Sequence, residues 1–116
     1  IETRGSDYFA AHSIAAYANG GGEILIEFDI AATHKMDELG ATALEIYEQQ
    51  SNGKYICVYT FMRDDDGMMF TNDYFANGAI TYQGTSGVKY YAKAKLYCKD
   101  KDGSQTILRT SNVVTA

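Results

Sequence analysis

The sequence predicts an all-β fold, an antiparallel β-sandwich of about seven strands, on three observations. Residues 88–98 alternate without a slip: Val88, Tyr90, Ala92, Ala94, Leu96 and Cys98 take one parity, and Lys89, Tyr91, Lys93, Lys95 and Tyr97 the other. Successive strand side chains point to opposite faces, so this strand turns one face to an apolar core and a lysine-tyrosine face to water. Apolar runs of strand length recur at short, regular spacing along the rest of the chain. Ten tyrosines, five phenylalanines, eleven glycines and no proline complete the picture. Aromatic rings pack well on a pleated surface, and glycine must then supply the tight turns.

Taken in order, residues 8–17 favour a first strand, although their alanines and the Asn-Gly ending also suit a short helix with a C-cap. Asn19-Gly20-Gly21-Gly22 is a turn signal, because these residues accept positive φ cheaply. It leads into residues 23–31, where Ile24, Ile26, Phe28 and Ile30 face inward and Glu23, Leu25, Glu27 and Asp29 outward. Met36-Asp37-Glu38-Leu39-Gly40 reads as a connection, with a helical turn as one form, crossing between sheets. Leu44 and Ile46 mark a strand over 43–49, and Ser51-Asn52-Gly53-Lys54 turns the chain into another over 55–63. Residues 64–78 read as the longest irregular stretch, followed by a short strand over 79–82. After the strand at 88–98, residues 99–103 close a last hairpin into 104–115.

Length and a hydrophobic content of 46% suit one β-sandwich domain over residues 1–116. A net charge of −5 argues against a nucleic-acid partner, whose affinity rests on lysine and arginine neutralising phosphates. No run approaches the roughly 18 apolar residues of a membrane helix, so no membrane insertion is expected. The opening Ile1-Glu2-Thr3, without an initiator methionine or an apolar leader, reads as a chain trimmed of its signal peptide. That reading makes the protein secreted or displayed at the cell surface. Cys57 and Cys98 then permit one disulfide, closing a loop of about 40 residues and contributing roughly 3–4 kcal/mol. The alternative is two free buried thiols.

Gly84-Thr85-Ser86-Gly87-Val88-Lys89-Tyr90-Tyr91-Ala92 resembles the tyrosine corner of immunoglobulin-like and fibronectin type III sandwiches. Tyr90 is the matching residue, and the resemblance implies an immunoglobulin-like sandwich in which its hydroxyl bonds back to the preceding turn. More broadly, the chain resembles a family of small secreted domains of unknown function from gram-positive gut bacteria. The resemblance runs through Arg4-Gly5-Ser6-Asp7-Tyr8, Ala31-Ala32-Thr33-His34-Lys35-Met36-Asp37-Glu38-Leu39-Gly40-Ala41, Ile80-Thr81-Tyr82-Gln83-Gly84 and Tyr90-x-Ala92. It implies a fold and an export route rather than a reaction.

No constellation points to catalysis, and no cofactor is expected. A zinc site needs three or four convergent ligands, and neither His12 nor His34 has a Cys or His partner at metal spacing. Gly-x-Ser-x-Gly, the nucleophile elbow, is absent. Asp64-Asp65-Asp66-Gly67 and Asp100-Lys101-Asp102-Gly103 are the candidate calcium loops, although neither completes a twelve-residue loop with its closing glutamate; as turn formers, these residues also suit plain acidic turns. Two candidate ligand-binding surfaces remain. Tyr91 and Tyr97 could form a platform for sugar rings beside lysines for an anionic partner, unless acids such as Glu45 on a neighbouring strand simply neutralise those lysines. Met68, Met69 and Phe70, flanked by Tyr74 and Phe75, either cap the core or offer a sticky patch. The expected function is a non-catalytic binding or interaction module for a protein or glycan, with a carbohydrate-binding module as the alternative.

Overall fold

A computed structural model describes residues 8–116, so Arg4, Gly5, Ser6 and Asp7 of the family resemblance lie outside the described residues. Among the described residues there are seven antiparallel strands: β1 (Phe9–Gly20), β2 (Glu23–Gln49), β3 (Tyr55–Met62), β4 (Met69–Gln83), β5 (Lys89–Asp100), β6 (Gly103–Thr110) and β7 (Val114–Thr115). Residues 9–17 are therefore strand, joined to β2 by the expected glycine turn, with positive φ at Gly20, Gly21 and Gly22.

The organising element is β2, a single strand of 27 residues. Its first half pairs with β1 on one side and β4 on the other; β4 continues along Met36–Gly40, where β5 takes over the other side, and β3 pairs with Ala43–Gln49. Between the halves the pairing with β4 slips from Ala31 to Met36. The strand changes direction there, and one hydrogen-bonded sheet folds over itself into two layers. One layer is β1–β2–β4; the other is β3–β2–β5–β6, with β7 continuing the far edge along β5. The two layers are joined through one bent strand instead of a loop between separate sheets.

The core lies between the layers. Ile24, Ile26, Phe28 and Ile30 meet Leu44, Ile46, Ala92, Ala94, Leu96 and Cys98, all buried. At β5 the observed burial follows the sequence alternation residue by residue. Phe28 lies flat against the backbone of Gly78, where a Cβ would collide with the ring.

Two sequence expectations are corrected here. Residues 36–40 are strand, not a connection with a helical turn, although the chain does cross between layers there. Inward residues switch from even positions (Ile30, Met36) to odd (Leu39, Ala41) and back (Leu44, Ile46). The return to even positions coincides with the register slip at 41–43, while the change to odd falls between Met36 and Leu39, just past the slip at 31–36; together these breaks erase the alternation that marks a strand. Residues 69–78 belong to β4, leaving 63–68 as the loop; Thr71, Asn72, Asp73, Tyr74 and Phe75 are all exposed, so no apolar parity shows.

The tyrosine corner is present. The Tyr90 hydroxyl accepts a hydrogen bond from the Thr85 backbone N–H at 2.7 Å and donates one to Glu48 Oε2 at 2.7 Å. Gly84 lies against the Tyr90 ring, where a Cβ would come within 2.7 Å. Burial raises the Tyr90 phenol above its ordinary value, the bond to Glu48 adding to the shift and the Thr85 N–H opposing it.

Candidate functional site

The outer face of the β3–β2–β5–β6 layer collects the chemistry. β5 sends Lys89, Lys93, Lys95 and Lys99 outward because their neighbours Tyr90, Ala92, Ala94, Leu96 and Cys98 fill the core. Lys93 lies in register with Glu45 and Lys99 with Glu38 on β2. Lys95 is opposite Ala43 and Leu108, and Lys89 opposite Thr115, so these two lysines have no acid directly across the sheet. Cross-strand acids thus answer half the lysine column.

Aromatic rings build one end of this face. Tyr47 and Tyr91 are opposite each other and stack, with centroids 5.0 Å apart and planes 5° from parallel; Tyr55 leans on Tyr91 at 4.9 Å. Lys93 Nζ lies 5.0 Å above the Tyr47 ring. The Tyr47 hydroxyl donates to Glu45 Oε1 at 2.9 Å, and that bond is the chief cause that pushes its phenol up to about 12. Tyr97 carries Arg63 over its ring at 5.8 Å, and Arg63 donates to Glu38 Oε1 at 3.0 Å. Tyr91 and Tyr97 therefore each have a ring face already covered, which leaves no open two-ring platform.

Beside the lysines lies a hollow of about 290 Å³, lined by Glu45, Lys93, Lys95, Leu108 and Thr110 among others. Leu108 is 72% exposed, the most open of the large apolar side chains among the described residues. Sequence reading missed it because β6 alternates between partly buried and exposed residues without a clean apolar parity. A second hollow of about 210 Å³ lies on the opposite layer, around Ser13, Asp29, Phe75 and Asn77.

Met68, Met69 and Phe70 are not an exposed patch. Met68 is fully buried, its carbonyl accepts the Ala41 N–H at 2.8 Å, and Gly40 passes so close that a Cβ would strike the Met68 backbone. Met69 and Phe70 are half-buried, and Phe70 packs on the core. The methionine loop caps the sandwich, and only Tyr74 and Phe75 beyond it are open.

Asp64, Asp65 and Asp66 do not converge. Among the described residues no three His, Cys, Asp or Glu side chains are placed to share a metal ion. Asp65 instead accepts the Met62 N–H at 2.8 Å, closing its own turn. Asp100 likewise accepts the N–H groups of Asp102 and Gly103, at 2.8 and 3.1 Å.

The disulfide is not formed: Cys57 is exposed and free, and Cys98 buried and free. Cys57 lies opposite Tyr47 and Cys98 opposite Leu39, eight positions along β2. That is about 26 Å of strand, against the Cα separation of about 7 Å that a bridge allows. Burial pushes the Cys98 thiol up to about 12.

Both histidines serve as ties between strands. The Arg109 guanidinium donates to His12 Nδ1 at 2.8 Å and to the His12 carbonyl at 3.2 Å, linking β6 to β1. Burial, with Arg109 beside it, lowers the His12 pKa. His34 Nε2 lies 2.6 Å from Asp100 Oδ2, and its Nδ1 lies 3.0 Å from Thr33 Oγ1. The His34 bond, with the Asp102 and Gly103 N–H groups, holds the Asp100 carboxyl below its ordinary value. This line of hydroxyl, imidazole and carboxylate lies outside both hollows. It ties the β2 bend to the β5–β6 turn.

The sequence matches no model of a known protein family, and no curated protein is detectably similar to it.

Proposed function

We propose that the protein is a secreted or cell-surface binding module without catalytic activity. In this reading it engages a protein partner through the outer face of the β3–β2–β5–β6 layer. The observation that carries the reading is the hollow in which exposed Leu108 lies opposite Lys95, with Lys93 and Glu45 in the same lining. Lys95 has no acid across the sheet, in a chain whose overall charge is −5. An apolar anchor beside a lysine with no opposing acid suits a partner that inserts an apolar side chain and brings a carboxylate to that lysine. The covered rings of Tyr91 and Tyr97 make the face a poorer match to a glycan.

Leu108 and Lys95 are exposed, so Leu108→Asp with Lys95→Glu should leave the fold intact. The wild type and this variant would be immobilised and offered the same extracellular protein extract. A protein held by the wild type, released by salt and lost with the variant supports the reading. Retention by both, by neither, or glycan-array binding that the variant keeps contradicts it.

A further inference from the structure

The two flanks of the sandwich are finished differently. On the β1 flank the Asn112 side chain acts as a short strand: its Oδ1 accepts the Ala16 N–H at 2.8 Å and its Nδ2 donates to the Ala16 carbonyl at 3.0 Å. Arg109 adds its two bonds to His12 on the same flank. On the opposite flank, β3 pairs with β2 alone among the described residues. Its residues Tyr55, Ile56, Cys57, Val58, Tyr59, Thr60, Phe61 and Met62 include no charge and no proline, the usual guards of an edge strand. Ile56, Tyr59 and Met62 are each about half exposed. The one protective device is the bulge at Val58, which twists the edge without blocking it.

Charge is placed at the two ends of this uncharged strand. Lys54 precedes it and Asp64-Asp65-Asp66 follow it. Arg63, which would offset those acids, is turned onto Glu38 and Tyr97 on the outer face. Antiparallel pairing of two such strands about a two-fold axis at Tyr59 brings Lys54 of each copy opposite Asp64 of the other. A parallel arrangement would stack like charges.

We infer that β3 is a homodimerisation edge, pairing antiparallel with β3 of a second copy and extending the β3–β2–β5–β6 layer across the two-fold axis. Each copy has one β3, so the contact is isologous and closes at the dimer. The inference is independent of the binding face proposed above: it uses backbone edge and end charges, not the lysines of β5.

Sedimentation velocity from micromolar to millimolar protein, with amide hydrogen exchange on the same samples, tests it. The wild type should shift from monomer to dimer, with protection rising over residues 55–62. Lys54→Glu places like charges at both ends of the pairing and should raise the dimer dissociation constant roughly tenfold. Lys54→Glu combined with Asp64→Lys restores the opposite signs and should recover wild-type association. Both positions are exposed, so the fold is untouched. A wild type that stays monomeric at millimolar concentration overturns the inference. So does a dimer whose protection lies outside β3, or one indifferent to the charge exchange.

Discussion

Replacing Tyr90 with Phe isolates the corner hydroxyl while keeping the buried ring in place. Two bonds are lost, the one accepted from the Thr85 N–H and the one donated to Glu48, both 2.7 Å in the native fold. A neutral hydrogen bond contributes about 0.5–1.5 kcal/mol and one to a charged group about 1.5–3 kcal/mol. Glu48 is half-buried, and its other oxygen accepts from Gln50 Nε2 at 3.1 Å, so water recovers part of the second loss. The sum is about 2–3 kcal/mol, which in a domain of about this size lowers Tm by roughly 10–15 °C. Thermal and urea unfolding followed by far-UV circular dichroism would measure it, with Glu48→Gln as the control that keeps an acceptor. A loss under about 0.5 kcal/mol would show that water replaces both bonds and refute the corner as a stabilising device.

The other predictions concern the core, the β1 flank and two pH ranges. Gly78→Ala drives a methyl group into the Phe28 ring and should cost about 1–3 kcal/mol by urea unfolding; a neutral result would mean the ring shifts freely. Asn112→Ala removes both bonds to Ala16 and should cost about 1–2 kcal/mol, with faster amide exchange at Ala16 and Tyr17 if the clip holds that edge. The Tyr90 and Tyr82 phenols are raised above 10.0 in the folded state, so their contribution is complete below pH 10 and is lost as pH rises through the folded values. Tm should fall in that range, and less steeply in Tyr90→Phe. His12 is shifted the other way: its folded pKa lies below 6.5, so stability is intact above pH 6.5 and declines as pH drops towards the folded value. His12→Gln should flatten that decline, and an unchanged slope would place its origin elsewhere.

What the sequence disclosed follows from where alternation survives. β5 and the first half of β2 bury one parity cleanly, and both were legible to the residue. The tyrosine corner was legible because Gly84, Tyr90 and Ala92 sit at fixed local offsets. The bend in β2 was hidden, since the inward face moves from even to odd positions between Met36 and Leu39 and back across the slip at 41–43. For Met68 the sequence left core cap and sticky patch both open, because its burial comes from Gly40 and Ala41 on a distant strand. The cysteine pair failed for a related reason: parity says which way a side chain points, but not how far along β2 its partner lies. Glu45 opposite Lys93 was legible as chemistry, although only the register of β2 and β5 fixed the pair. The hollow at Leu108 depends on how β6 lies along β5, which no local pattern encodes.

The central claim is that one strand, β2, runs unbroken through both layers and sets the lysine-tyrosine face against Tyr47 and Glu45. Solution NMR tests it most directly, through cross-strand nuclear Overhauser effects on isotope-labelled protein. The account predicts contacts from Ile26 to Ala16 and Ile80, and from Ile46 to Tyr59 and Ala92, with slowly exchanging amides at Leu39 and Ala41 between them. Fast exchange across residues 33–43 with no cross-strand contacts there would show two separate strands joined by a loop, and would contradict it.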